Sequence, residues 1–179
     1  NGFDPNKDMV ADDQLFEIDR WALDAVDELL ATATEAYENF DFSRVYHEVH
    51  NFCVVEMSNF YLDVIKDRLY CSKADAEGRR SAQTAMYKIL VQLTKIIAPV
   101  LVFTAQEIWS FIPKMPGMNN YVAFEDMGKA GTYLQGEEFE AKWNKIIAVR
   151  DDVKKALEQA RAEKVIGAAL EAHITLYCN

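Results

Sequence analysis

The sequence predicts an all-α protein, an antiparallel bundle of four to five long helices with a small extended appendix. Three observations carry this. Apolar residues recur at three- and four-residue spacing over several long stretches, the period of a helix with one buried face. Seven Gly and four Pro in 179 residues are too few for the turns of an all-β chain. The break between the first two periodic stretches is short, which forces those two helices to run antiparallel.

Residues 1–11 are polar, contain Pro5, and read as a lead-in. Asp12 or Asp13 is placed to cap a first helix with the apolar set Leu15, Ile18, Ala22, Val26, Leu29, Ala33, Ala36, Tyr37 and Phe40. Asp41-Phe42-Ser43 breaks and re-caps the chain, and a second helix runs to about Tyr70. A loop over 71–78 precedes a third helix carrying Ala82, Met86, Ile89, Leu90, Leu93 and Ile97, which Pro99 should end or kink. Thr104-Ala105-Gln106-Glu107 has capping-box spacing, so a further helix is expected there with Ile108, Trp109 and Phe111. Pro113 to Gly136 is a long surface connection in which 121–124 has an extended pattern. The last helix spans about Glu137 to Lys164, with Gly167 as its stop. Residues 170–177 alternate apolar and polar like a strand. The expected organisation is a lead-in over 1–11, a helical domain over 12–167, and a strand over 168–179 that begins a truncated subdomain.

Composition narrows the function classes. The net charge is −10, but it is uneven. Residues 1–62 hold fourteen acids against Lys7, Arg20 and Arg44, whereas 63–88 and 142–164 each carry a net positive charge. An acidic total argues against polyanion binding by the whole surface and leaves one local basic face. Cys53, Cys71 and Cys178 make no Cys-x-x-Cys pair, so no disulfide framework or zinc site is indicated, and a reducing cytoplasmic setting fits. No apolar run reaches membrane-spanning length, and no secretory leader is visible. A first residue Asn1 in place of Met predicts a fragment or a processed product. Glycine-rich phosphate loops, Gly-x-Ser-x-Gly elbows and Glu-x-x-His pairs are all missing from this sequence. His47 and His50 share a helix face, but without a third ligand they read as a solvated pair.

The stretch Ser58–Tyr70 concentrates the remaining signal. Phe60, Leu62, Val64, Ile65 and Leu69 are expected to build the bundle, with Asn59 and Asp63 as internal hydrogen-bonding residues. Lys66, Arg68 and Tyr70, joined by Lys73, Arg79 and Arg80, surround the junction of the second and third helices. Arg161 and Lys164 end the last helix, and up-down topology can bring them to the same pole. Cations that neutralise phosphates, interleaved with aromatic rings that stack unpaired bases, suit a single-stranded RNA loop. The same residues also serve to complement helix ends and solubilise loops.

Asn59-Phe60-Tyr61-Leu62-Asp63 followed by Lys66-Asp67-Arg68-Leu69-Tyr70 resembles the anticodon-binding domain of isoleucyl-tRNA synthetases. Ala98-Pro99 with Phe103-Thr104-Ala105-Gln106-Glu107-Ile108-Trp109 resembles a segment shared by the isoleucyl, valyl and leucyl enzymes of class I. Phe3-Asp4-Pro5, Asp19-Arg20-Trp21-Ala22-Leu23, and the series from Arg150 through Leu157-Glu158, Arg161 and Lys164 to Leu170-Glu171-Ala172 extend the likeness over nearly the whole chain. Val102, Gln106 and Met127-Gly128 depart from the pattern. The resemblance implies a helical domain that holds the anticodon stem-loop of an isoleucine-accepting tRNA. It implies a parent ligase, monomeric and cytoplasmic, that uses ATP and Mg and carries zinc in a C-terminal region. The catalytic core of the same chain would be the domain's other partner. The His-x-Gly-His and Lys-Met-Ser-Lys-Ser motifs of such a core do not occur here, so the fragment is expected to need no cofactor and to be inactive alone. The corresponding domain of a valyl or leucyl enzyme, or a non-RNA helical interaction module docking by the acidic first helix, are the alternatives.

Overall fold

The first long helix begins later than its acidic residues suggest. In the computed structural model, which describes residues 2–177, the lead-in forms a short helix α1 (Pro5–Asp8) and a 3-10 turn (Asp12–Gln14) before α2 (Glu17–Glu38) starts. Asp12 and Asp13 therefore cap nothing in α2. Leu15 is buried, and Leu15 and Phe16 are extended. The entry is anchored from outside the helix: the Phe16 N–H donates to Ser81 Oγ at 2.8 Å.

The second helical run comes as expected, with Asp41 accepting the Arg44 N–H at 3.0 Å as its cap. It comprises α3 (Phe42–Asn51), a π-helical segment (Phe52–Tyr61), α4 (Leu62–Val64) and α5 (Lys66–Tyr70). It runs antiparallel to α2, because Phe42 meets Tyr37 at its start and Phe60 meets Trp21 near its end. The π winding changes which side chains face inward. Each π turn takes up close to one residue more than an α turn, so positions chosen at α spacing drift out of register. Phe60, Tyr61 and Ile65 are buried, whereas Leu62 and Val64, expected in the core, are exposed. Asn59 and Asp63, expected inside, are exposed as well.

α6 (Glu77–Ile97) runs parallel to α2: Ser81 bonds Asp19 at one end, and the Tyr37 hydroxyl donates to the Ile96 carbonyl at the other, 2.8 Å away. It stops just before Pro99, as the proline requires. α7 (Val102–Phe111) starts three residues earlier than the capping-box pattern places it. The Leu101 N–H already reaches the Ile97 carbonyl at 2.8 Å, so the chain is turning before Thr104 and that side chain caps nothing. The main core joins α2, the π segment and α6 through Leu23, Val26, Leu30, Phe52, Tyr61, Ala82 and Ile89. A second core gathers Tyr87, Ala105, Trp109, Ile112 and Val122, with Phe3 and Met9 packed against it. The long connection is pinned by buried polar groups: Asp27 accepts the Gly131 and Tyr133 N–H groups, and Trp109 Nε1 donates to the Asn119 carbonyl. Residues 122–124 form a 3-10 turn rather than an extended piece.

These elements belong to one compact unit, Asn1–Leu134; a second unit comprises Gln135–Asn179. In it, α8 (Glu137–Ala162) ends on Lys164 rather than Gly167. Lys164 has φ +57, its N–H bonds the Arg161 carbonyl, and the Val165 N–H bonds the Ala160 carbonyl. That is a Schellman motif closed by a lysine in the position glycine usually takes. The strand expected over 168–179 does not form within the described residues: Ala169–Glu171 is a 3-10 turn and 172–177 pairs with nothing as a ladder. A single strand needs a partner to satisfy its backbone groups. Residues 178 and 179 lie outside the described part.

Candidate nucleic-acid interface

The end of α5, the loop over 71–76 and the start of α6 meet at one pole of the first unit, and Asp19 is its centre. This carboxylate is fully buried. It accepts from the Tyr61 hydroxyl at 2.8 Å, from the Ser81 hydroxyl at 2.5 Å, and from both terminal nitrogens of Arg68 at 2.7 and 2.9 Å. Arg68 also donates to the Gly78 carbonyl and lies over the Phe16 ring. Burial, and then the Asp19 charge, push the Tyr61 hydroxyl far above its ordinary pKa, so it stays a donor. A bidentate pair with two further donors satisfies the buried anion well, the condition under which such a pair is tolerated.

The eight residues expected to bind RNA therefore divide. Arg68 holds the fold together instead of offering charge to solvent, because α2 places an acid opposite it. Arg79 donates to the Ser72 carbonyl at 3.0 Å and its buried Nε has no partner. Arg80 pairs with Asp8 at 3.1 Å and bonds Gln83 and the Gly2 carbonyl. Those contacts fix the loop and the lead-in. Lys66, Tyr70 and Lys73 are exposed. Lys66 pairs with Asp63 at 2.8 Å, a contact open to solvent that raises the lysine pKa. Surface pairs of this kind are weak and exchange readily for another anion. The Tyr70 ring is 76% exposed. Within the second unit, Arg161 and Lys164 are exposed and line one open concavity of about 580 Å³ with Glu158, Ala162, Val165, Ile166 and Gly167.

Sequence reasoning alone passes over Asp19. Its signal is present: it stands three and four residues before Ala22 and Leu23 on the inward stripe of α2, where an acid must find a cationic partner. His47 and His50 are exposed, their rings 5.3 and 6.0 Å from the Tyr46 ring. Cys53 is half-buried, and burial raises its pKa. No helix of the described residues is long and apolar enough to cross a membrane.

Residues 19–176 match the family described as the anticodon-binding domain of tRNA ligase. The chain belongs to that family. The domain is 52% identical over 177 residues to the isoleucine–tRNA ligase of Syntrophotalea carbinolica, covering 98% of this chain and 19% of that protein. It is 48% identical over 179 residues to the isoleucine–tRNA ligase of Staphylococcus epidermidis, covering the whole chain and again 19% of the relative. With that of Caldicellulosiruptor saccharolyticus the identity is 46% over 189 residues, covering 99% and 19%. The domain thus spans about a fifth of the length of these relatives.

Proposed function

We propose that this chain is the part of an isoleucine–tRNA ligase that holds the anticodon stem-loop of tRNA, so that the acceptor end reaches an active site elsewhere in the ligase. The observation that carries the reading is the family match over 19–176 together with relatives that are isoleucine–tRNA ligases. The pole supplies the chemistry. Lys66 and Lys73 neutralise phosphates, and the open Tyr70 ring stacks a base. Arg161 and Lys164 add a second cationic patch for the same RNA, while Arg68, Arg79 and Arg80 keep the pole in shape. The parent ligase joins isoleucine to its tRNA with ATP and Mg in the cytoplasm, acts as a monomer, and carries zinc in a C-terminal region. The domain alone needs no cofactor and catalyses nothing. Segment 1–11 leads in from the catalytic core of the same chain.

The test uses a full-length ligase carrying this sequence. Charge reversal at Lys66, Lys73, Arg161 and Lys164 should weaken tRNA binding and flatten its salt dependence by about 0.7 in the log–log slope for each loop phosphate no longer neutralised. ATP–isoleucine exchange should persist. Unchanged tRNA affinity in the fourfold variant would reject the pole as the RNA surface.

A further inference from the structure

Four consecutive residues at the start of α6 tie together the parts that meet at the basic pole. The Gly78 carbonyl accepts from Arg68 at 3.3 Å. Arg79 holds the Ser72 carbonyl at 3.0 Å, one residue before Lys73. Ser81 bonds Asp19 and accepts the Phe16 N–H. Arg80 differs from its neighbours in what it holds. One terminal nitrogen donates to the Gly2 carbonyl at 3.2 Å and to Gln83 Oε1 at 3.0 Å, and the other pairs with Asp8 at 3.1 Å. Beyond its own helix, each of these bonds goes to the lead-in.

This clasp is built to hold an angle. The Arg80 and Asp8 side chains are only 17% and 22% exposed, so the pair is screened less than one on the open surface. Asp8 is itself oriented: its other carboxylate oxygen accepts the Asp4 N–H at 2.7 Å across α1. Phe3, next to Gly2, lies against Tyr87 of α6 and steadies the entry one residue on. The planar fork of Arg80 thus fixes two points of the lead-in, the backbone at Gly2 and the carboxylate at Asp8. Two fixed points define a direction as well as a position. The chain enters the domain at Gly2 against the first turn of α6, and Arg79 holds the loop carrying Lys73 against that same turn.

We propose that Arg80 is a positioning residue of the ligase: its clasp on Gly2 and Asp8 sets the direction from which the rest of the ligase reaches the RNA-binding pole, and so where the acceptor end of a bound tRNA falls. This rests on the reading that segment 1–11 leads in from the catalytic core, and the relatives are about five times as long as this chain. The lever is long. A small rotation at the clasp becomes a large displacement at the far end of the RNA, and reacting groups out of place lose rate steeply. Loss of the clasp therefore acts on turnover and leaves the grip on RNA intact.

Two variants of a full-length ligase carrying this sequence open the clasp from opposite sides: Arg80→Met removes the fork, and Asp8→Ala removes its charged partner. An acid makes no phosphate contact, so Asp8→Ala separates the clasp from an RNA role. Aminoacylation at saturating tRNA should turn over several-fold more slowly in both, with tRNA affinity and ATP–isoleucine exchange unchanged. The double variant should be no slower than the slower single, because one interaction is removed once. Unaltered turnover in either single variant would overturn the proposal. Weaker tRNA binding in Arg80→Met alone would overturn it by making Arg80 an RNA contact. Weaker tRNA binding in both would overturn it as well, since the pair would then only hold the pole in shape. The proposed function fails by a different result, unchanged tRNA affinity in the fourfold charge-reversal variant, in which Arg80 and Asp8 are intact.

Discussion

Replacing Arg68 with Met should unfold this domain more readily and should not act as the loss of an RNA contact. The perturbation removes both guanidinium bonds to Asp19 at 2.7 and 2.9 Å and the bond to the Gly78 carbonyl. Tyr61 and Ser81 still donate to the carboxylate, so the anion is left half satisfied in a fully buried site. Breaking a buried pair from one side costs about 3–5 kcal/mol. The Arg68 side chain keeps 20% of its exposure, so water reaches the site in part, and about 2–4 kcal/mol is expected. Urea unfolding in a Trp143→Phe background makes the fluorescence of Trp21 and Trp109 report on residues 2–134. The midpoint should fall without a change in slope. Asp19→Asn combined with Arg68→Met should cost less than the sum of the two, because the pair is one unit. An unchanged midpoint, joined to weaker tRNA binding by the folded protein, would refute the assignment and return Arg68 to the RNA surface.

Glu56, partly buried near Glu28 and Glu48, has its pKa raised from 4.5 to about 7, chiefly by burial. An acid raised in the folded state stabilises below its unfolded pKa, and that stability is lost as pH rises through the folded value. The full rise corresponds to about 3 kcal/mol, reduced by solvent access to about 1–2. Glu56→Gln should therefore raise the melting temperature at pH 8 and leave it unchanged at pH 4; equal gains at both would show that the carboxyl titrates normally. Lys164→Gly relieves a left-handed backbone by about 1 kcal/mol and should stabilise α8 while weakening tRNA binding. If tRNA affinity stays constant, Lys164 is only a helix stop. Asp27→Ala frees the Gly131 and Tyr133 N–H groups and should speed tryptic cleavage at Lys129, read by mass spectrometry; cleavage at the original rate would mean the loop is held by other contacts.

The long helices were legible because apolar residues recur along them at three- and four-residue spacing and the punctuation is hard: Asp41 as a cap and Pro99 as a stop both act as their chemistry requires. What was not legible depended on partners distant in sequence. The inward set of 58–70 shifted because the π winding resets the period, and nothing in an α-spaced pattern announces that change. Thr104 lost its capping role to a turn inherited from Ile97. The alternation over 170–177 was a valid strand pattern, but no partner strand forms for it among the described residues. The basic pole was visible as composition, but which cations remain available was decided by acids elsewhere: Asp19 takes Arg68 and Asp8 takes Arg80.

The sorting of those cations follows from side-chain chemistry. A guanidinium offers several donors in a planar fork, suited to a buried carboxylate and to backbone carbonyls. The positions next to Asp19, Ser72 and Asp8 hold Arg68, Arg79 and Arg80, and each is bound in that manner. An ammonium is strongly hydrated, sits on a flexible stem and bonds without directional demand, which suits contact with a phosphate whose position varies. Lys66 and Lys73 occupy the exposed positions of the same pole. A pole built from lysine alone would hold its shape less well. Lysines at the three inner positions would leave Asp19 with a single point charge, and the loop carrying Lys73 would lose its anchors. Arg68→Lys should thus recover only part of the stability lost in Arg68→Met, since the ammonium restores the charge but not the two-pronged geometry. Full recovery in the same urea assay would show that charge alone holds the pole, and the distinction between the two cations would fail.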